Sequence, residues 1–133
     1  MVRKEIAQER HEVQGGVGTV MCYNVISKEE FSDHGRLYAR FVLPPGTSIG
    51  WHVHEGETEP YYILAGEGTF TDSDGSVQLV HKGDCCIIEE GCGHSIANNA
   101  TEDLEFMALI YNVEKEINER CLEVNKPTMW RSN

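Results

Sequence analysis

The spacing of turn-forming residues is the feature of this sequence that most restricts its fold. Glycine, proline and aspartate clusters interrupt the chain at residues 44–46, 72–75, 82–84 and 90–93. Between them lie short runs rich in β-branched and aromatic residues, which predict strands. The predicted strands cover residues 17–26, 36–43, 49–54, 58–65, 68–71, 77–80, 85–88, 94–98 and 104–111. Nine short strands with close turns and no long helix indicate an all-β sandwich or barrel.

The 133 residues are expected to form one domain across positions 1–133. Its core is predicted to span about 17–111. Residues 1–16 are charged and could form a short helix or an added strand. Residues 113–133 could form a short surface helix or a tail that docks on the barrel or on a second subunit. Asp74-Gly75 between two alternating runs predicts a β-hairpin.

Acidic residues outnumber basic ones by 22 to 11, which gives a formal net charge of −11. This balance argues against a nucleic-acid partner or an anionic membrane, because both require a basic surface. No apolar run approaches the roughly 20 residues needed to cross a bilayer. The first ten residues do not resemble a secretory signal, so a cytoplasmic location is expected.

The cysteine pattern agrees with that location. The chain has five cysteines, an odd number, and none forms a C-x-x-C pair. This predicts reduced thiols and argues against a disulfide framework or a cysteine-rich zinc site. Cys92 lies two residues before His94, but nothing in the sequence near it would activate its thiol.

Histidines and one glutamate form the constellation that carries chemistry. His52 and His54 are two apart on a predicted strand, so their side chains share a face. An antiparallel hairpin could return Glu59 to their side, and His94 begins a later strand after a glycine turn. Three imidazoles and a carboxylate suit Zn, Mn, Fe, Ni or Co, with two positions open if the geometry is octahedral. Glu55 or Glu57 could replace Glu59 as the carboxylate.

Two spaced motifs contain these residues. They read Gly46-x5-His52-x-His54-x4-Glu59-x6-Gly66 and, sixteen residues later, Gly83-x5-Glu89-x-Gly91-x2-His94-x3-Asn98. The pair resembles the two motifs of the cupin superfamily, and the short gap between them is similar to that of small microbial cupins. The departure from the family pattern is Glu89, which stands where proline is usual and removes a residue that would stiffen the loop before His94.

The resemblance implies a double-stranded β-helix, or jelly-roll barrel, with one divalent metal ion near its open end. The family's metal ligands fall on His52, His54, Glu59 and His94. Small cupins often form dimers by sharing edge strands, so a homodimer is expected, and the segment up to Ile26 is the candidate to join a partner's sheet.

Residue alternation nominates further side chains for the pocket. If Glu59 points inward, Tyr61 and Ile63 do too. Tyr61 is therefore a catalytic candidate, as an aromatic wall of the pocket that could also donate its hydroxyl. Glu57 is the second catalytic candidate, as a proton shuttle. Arg36 and Arg40 share the basic face of their strand and could anchor an anion, although a solvated face is the simpler interpretation.

The favoured function is a metal-dependent enzyme acting on a small polar metabolite. The substrate would be a sugar, sugar phosphate or carboxylate, and the reaction that of an isomerase, lyase or decarboxylase. The alternatives are an Fe(II)-dependent dioxygenase and a non-catalytic binding or structural module, because fold and ligands do not choose among them. His11, His34 and His81 lie outside the motifs and are expected to have no part in the site.

Overall fold

Eleven β-strands account for most of residues 1–114, the part of the chain that the computed structural model describes. They are β1 (Ile6–His11), β2 (Thr19–Ile26), β3 (Gly35–Leu43), β4 (Ser48–Val53), β5 (Glu57–Thr58), β6 (Tyr61–Ala65), β7 (Gly68–Thr71), β8 (Val77–Val80), β9 (Cys85–Cys86), β10 (Gly93–Ala97) and β11 (Leu104–Asn112). The helical segments within these residues are the 3-10 turns Val13–Gly15 and Glu29–Phe31, and neither is long or apolar enough to cross a membrane.

The strands pair into two antiparallel sheets. The seven-stranded sheet has the order β1-β2-β3-β11-β6-β9, and β5 also pairs with β11. The four-stranded sheet has the order β4-β10-β7-β8. This arrangement confirms the predicted all-β jelly-roll barrel. The predicted C-terminal helix or tail falls almost wholly on residues 115–133, outside the described residues.

The core lies between the inner faces of the two sheets. On β3, Leu37, Ala39, Phe41 and Leu43 are buried in alternation with outward residues, as the sequence pattern predicts. Phe41 stacks on Phe106 of β11 with ring centroids 5.6 Å apart. This apolar layer forms the wall against which the functional side chains are held.

Two of the predicted strands differ from the structure near the candidate site. The run 58–65 divides into β5 and β6 at Glu59 and Pro60, because proline has no N–H to donate to a sheet. The run 85–88 pairs only over Cys85–Cys86. The break at Pro60 frees Glu59 from the regular strand and lets its side chain turn into the barrel, where it is 5% exposed.

The N-terminal segment forms the strand β1 and then packs closely on β4. A Cβ atom on Gly16 would lie 2.2 Å from the Ser48 carbonyl oxygen, and one on Gly50 would lie 2.2 Å from that of Gln14. Only glycine permits this approach of two backbones. It places the turn Val13–Gly15 over the end of the barrel that holds the histidines.

The cysteines are only partly as expected. Cys22, Cys85 and Cys86 are free thiols, and burial raises the pKa of Cys86 to about 12. Cys92 is disulfide-bonded, so the prediction that all the cysteines are reduced thiols is wrong at this position. An odd number of cysteines leaves at least one unpaired but does not prevent one pair from forming.

The Asn98 side chain forms hydrogen bonds that stabilise the turn after β10, and replacing it with alanine should destabilise the fold. Its side-chain amide nitrogen donates to the carbonyl oxygens of Leu43 and Glu102, and its side-chain oxygen accepts from the Ala100 N–H. We expect Asn98→Ala to lower the free energy of unfolding by about 2 kcal/mol or more, because these groups lose buried partners. Urea denaturation checks this. The exposed neighbour variant Asn99→Ala is the control, and an equal loss there would contradict the assignment.

Candidate metal centre

Three imidazoles line the inner face of the four-stranded sheet. His52 lies on β4, His54 directly follows β4, and His94 lies on β10 as the direct antiparallel partner of His52. Their ring centroids are 4.6–5.2 Å apart. His94 is completely buried and His54 is 3% exposed. The register between β4 and β10 therefore brings together two residues that are 42 positions apart in the sequence.

Glu59 reaches the histidines from the opposite sheet. It lies between β5 and β6, which pair with β11, whereas β4 pairs with β10. The expected hairpin between the histidine strand and the glutamate is therefore wrong. The contact is made across the barrel interior, because the chain crosses between sheets in the connection from His54 to Glu57.

The four candidate ligand atoms lie close together. Glu59 Oε1 lies 3.3, 2.9 and 3.1 Å from Nε2 of His52, His54 and His94, respectively. His94 Nε2 lies 3.0 Å from His52 Nε2 and 3.3 Å from His54 Nε2. All four atoms lie within 4.8 Å of one another. We call these four residues the histidine–glutamate cluster.

Hydrogen bonds on the outer side of the rings set which nitrogen faces inward. His52 Nδ1 lies 2.7 Å from the Gly50 carbonyl oxygen, and His54 Nδ1 lies 2.9 Å from Glu57 Oε1. Both oxygens can accept a hydrogen bond from Nδ1, so Nε2 is the ring nitrogen that faces into the cluster. His94 Nδ1 is buried with no hydrogen-bond partner among the described residues.

This donor set fits a divalent transition-metal ion. When the Nε2 atoms carry no proton, their lone pairs and the Glu59 carboxylate would repel one another at these distances unless a cation accepted them. Three imidazole nitrogens and one carboxylate oxygen are ligands common to Zn, Mn, Fe, Co and Ni. The cluster could therefore hold one such ion, whose identity the donor set does not select.

The protonation behaviour of the cluster agrees with this. Burial raises the pKa of the Glu59 carboxyl, but hydrogen bonds from the three histidines outweigh it and hold that pKa well below its usual range. Burial lowers the pKa of His94, against the effect of Glu59. Burial also lowers the pKa of His54, but hydrogen bonds to Glu59 and Glu57 produce a net rise. Glu59 is thus ionised and His94 is neutral, the states in which these groups bind metals.

Tyr61 points into the barrel, as the alternation predicts. It is 2% exposed, its hydroxyl donates to Glu59 Oε1 at 3.2 Å, and its ring stacks on His94 with centroids 5.0 Å apart. Burial and the adjacent Glu59 charge raise the pKa of this phenol well above its usual value. Tyr61 therefore stays protonated and donates to the Glu59 carboxylate, and a direct part in catalysis remains a prediction.

Glu57 lies outside the cluster and is held from two sides. Arg36 donates to both carboxylate oxygens, at 2.9 and 2.7 Å, while His54 donates to one of them. The hydrogen bond from Arg36 is the main cause of a lowered pKa at Glu57. The structure thus places Glu57 as an orienting partner of His54, and Glu59 is the carboxylate within the cluster. A proton-shuttle role for Glu57 stays a prediction.

The loop before His94 is held by its backbone in place of the usual proline. The Cys92 N–H donates to the Glu89 carbonyl oxygen at 3.1 Å, and the His54 N–H donates to the Cys92 carbonyl oxygen at 3.3 Å. Gly91 N–H donates to the His54 carbonyl oxygen at 2.7 Å. These bonds tie the loop directly to one of the cluster histidines.

A cavity of about 60 Å³ opens onto the cluster. Its wall combines apolar residues such as Leu37, Phe41 and Ile49 with polar ones that include Arg10 and Arg36. Arg36 thus reaches the cavity, as one interpretation of the sequence allowed. Arg40 does not line it, because Glu5 and Glu105 bind its guanidinium group away from the cavity.

Arg10 and Gln14 also line the cavity, and no sequence motif pointed to either of them. Both lie in the N-terminal segment, where the sequence does not distinguish a helix from a strand and so predicts no inward face. The remaining histidines lie elsewhere, as expected: His81 pairs with Glu67 at the surface, and His11 contacts Thr19.

Comparison with known proteins finds one family and several relatives. The family model described as "Cupin domain" matches residues 39–110. An oxalate-binding protein of Thermotoga maritima is 48% identical over 107 residues, which cover 80% of this chain and 88% of the relative.

Solved structures agree with this match. The crystal structure of a predicted oxalate decarboxylase from Thermotoga maritima superposes with a TM-score of 0.79 at 43% identity, covering 85% of this chain and 99% of the other. A cupin 2 conserved barrel domain protein from Salinispora arenicola has a TM-score of 0.60 at 21% identity, over 71% of this chain and 76% of the other. The second likeness concerns the fold.

Glu57 should affect metal affinity although it lies outside the cluster. We expect Glu57→Gln to weaken metal binding about 10- to 100-fold, because His54 loses a charged acceptor that orients its ring and raises its basicity. Titration against a chelating dye measures this. Glu67→Gln is the matched control, since Glu67 also pairs with a histidine, but at the surface. Equal affinity in the two variants would contradict the orienting role.

Proposed function

Because this chain belongs to the cupin family, we propose that it binds one divalent transition-metal ion at the histidine–glutamate cluster and holds a small carboxylate of the oxalate class on that ion. The observation that carries the proposal is the set of four converging ligands at a small cavity whose wall includes two arginines. Metal binding by these four residues is part of the proposal.

Charge supports an anionic ligand. Three neutral imidazoles and one carboxylate leave a divalent ion with a residual positive charge, and Arg10 adds a further charge at the same cavity, where Arg36 is paired with Glu57. The chain as a whole carries a net charge of −11, so this positive site is a local exception. An anion would be attracted to the cavity and repelled by most of the remaining surface.

Size favours a small carboxylate over a sugar phosphate. Pockets for drug-sized ligands measure roughly 300–1,000 Å³, whereas this cavity measures about 60 Å³. A molecule of a few non-hydrogen atoms fits such a volume. The Thermotoga maritima relative, named an oxalate-binding protein, supports the same class of ligand.

Decarboxylation is the second candidate, because the Thermotoga maritima structure is described as that of a predicted oxalate decarboxylase. The step would break the carbon–carbon bond of oxalate, release carbon dioxide and add one proton to give formate. It requires an acid at the cavity. Among the described residues that line it, the acidic groups are Glu59 and Tyr61. Glu59 is a proposed ligand, and Tyr61 has a raised pKa, so the geometry supports binding more than turnover.

Metal removal should abolish carboxylate binding. We expect calorimetry to detect oxalate binding to the manganese-loaded protein. No binding should remain after the metal is removed, because the ion would coordinate the oxalate oxygens. His94→Ala should lose both metal and oxalate binding. His81→Ala is the control, since this histidine lies at the surface with Glu67.

Three outcomes separate the alternatives. Equal oxalate binding with and without metal would contradict the proposal. Formate and carbon dioxide release by the loaded protein would support the decarboxylase. Iron-dependent oxygen uptake on a substrate panel would instead support the dioxygenase that the sequence left open.

The surface supports the prediction that this chain forms a homodimer. Among residues 1–114, β1 is an end strand of the seven-stranded sheet, and the four-stranded sheet exposes Trp51, Val53, Val77 and Leu79 on its outer face. We expect analytical ultracentrifugation to give a mass near twice the 15.0 kDa of the chain. A single species at the chain mass over a wide concentration range would contradict the homodimer. The cytoplasmic location and the absence of a nucleic-acid partner stay predictions.

A further inference from the structure

Arg10 lies on the edge strand β1 but points to the inside of the barrel. It is the direct antiparallel partner of Val20, and Gln8 is the partner of Cys22. Val20 and Cys22 are completely buried. Directly opposed residues in an antiparallel pair share a face, so Gln8 and Arg10 occupy the inner face of the sheet. The Arg10 guanidinium carbon lies 5.7 Å from the ring centroid of Phe41, on the wall of the metal cavity.

Arg10 stands where two cavities adjoin. The first is the metal cavity of about 60 Å³. The second, of about 380 Å³, lies beside it and is also lined by Arg3 and Lys28. Arg10, Arg36 and Leu37 border both. A ligand that fills the metal cavity would therefore lie next to the Arg10 side chain.

Arg10 has N–H donors without a hydrogen-bond partner within residues 1–114, whereas the other arginines there are paired with carboxylates. Arg3 is bound by Glu30, Arg36 by Glu57, and Arg40 by Glu5 and Glu105. Arg10 has no carboxylate partner within those residues, and its hydrogen bond runs from Nε to Gln8 Oε1 at 3.2 Å. Its two terminal nitrogens are without hydrogen-bond partners there. An inward arginine fork with unused donors beside a cation site matches a carboxylate.

We propose that Arg10 selects dicarboxylates, by donating to the second carboxylate group of a metal-bound ligand through an oxygen that the metal does not bind. This inference rests on the proposed function and assigns a residue outside the family match at 39–110. A monocarboxylate such as acetate can occupy the metal but has no second carboxylate to offer. Oxalate has one, so Arg10 distinguishes the two.

The competing explanation is edge protection. An inward charge on an edge strand can prevent unwanted pairing with another sheet, without any ligand. In that case replacement of Arg10 would alter self-association and leave ligand affinity unchanged. Binding measurements on metal-loaded protein therefore separate the two explanations.

The experiment compares oxalate and acetate on the manganese-loaded wild type, Arg10→Gln and Arg10→Lys by calorimetry. We expect Arg10→Gln to weaken oxalate binding by about 10-fold or more, because a charged hydrogen-bonding partner is lost. Acetate binding should change by less than about 3-fold, because the metal carries most of it. Arg10→Lys should fall between, since it keeps the charge and loses the fork.

Two controls accompany these variants. Lys28→Gln removes the same charge from the second cavity and should leave oxalate affinity unchanged, since Lys28 does not line the metal cavity. Metal affinity, measured with a chelating dye, should be equal in all the variants, because Arg10 does not contact the cluster ligands. Circular dichroism verifies that each variant is folded.

Each contrary result has a distinct meaning. Equal weakening by Arg10→Gln and Lys28→Gln would show long-range charge alone and overturn the proposal. Equal weakening of oxalate and acetate would overturn selection between them. Unchanged oxalate affinity in Arg10→Gln would overturn the role of Arg10 and leave the proposed function intact. Failure of the metal-loaded wild type to bind oxalate would overturn both.

Discussion

The convergence of three imidazole nitrogens on one buried carboxylate is the constraint on which the functional end of this barrel depends. It requires the register that pairs His52 with His94 and the crossing that brings Glu59 from the other sheet. A slip of one residue in either strand would turn a ligand to the opposite face. The antiparallel ladder, the break at Pro60 and the cluster are therefore parts of one geometric requirement.

Residues around the cluster orient its histidine rings through hydrogen bonds. Gly50 and Glu57 orient two rings from behind, and Arg36 in turn holds Glu57, so the ligand geometry rests on partners in both sheets. The N-terminal segment closes the same end of the barrel, because glycines allow its turn to lie directly on β4. Through this packing the segment also brings Arg10 to the cavity, and the proposed ligand preference depends on it.

Much of the site could be predicted from local pattern. The spacing of the two motifs identified all four cluster residues, and period-two alternation correctly placed Tyr61 and Ile63 inside. The prediction failed where the answer depended on which strands pair. Glu59 was expected from a hairpin and comes from the facing sheet. Reduced thiols were expected throughout, yet Cys92 is disulfide-bonded, because cysteine counting does not reveal which thiols meet in space.

The sequence by itself determined the strand-rich class, the family resemblance and the identity of the candidate ligands, because these follow from short-range spacing and residue chemistry. Only the tertiary structure decided how the ligands meet, which carboxylate joins them and which arginine has unused donors at the cavity. Such facts depend on contacts between distant segments, as when Arg10 and Phe41 meet across β1, β2 and β3. The alternation of residues along a strand determines which side chains point inward. The order of strands in the sheets determines which residues those side chains contact.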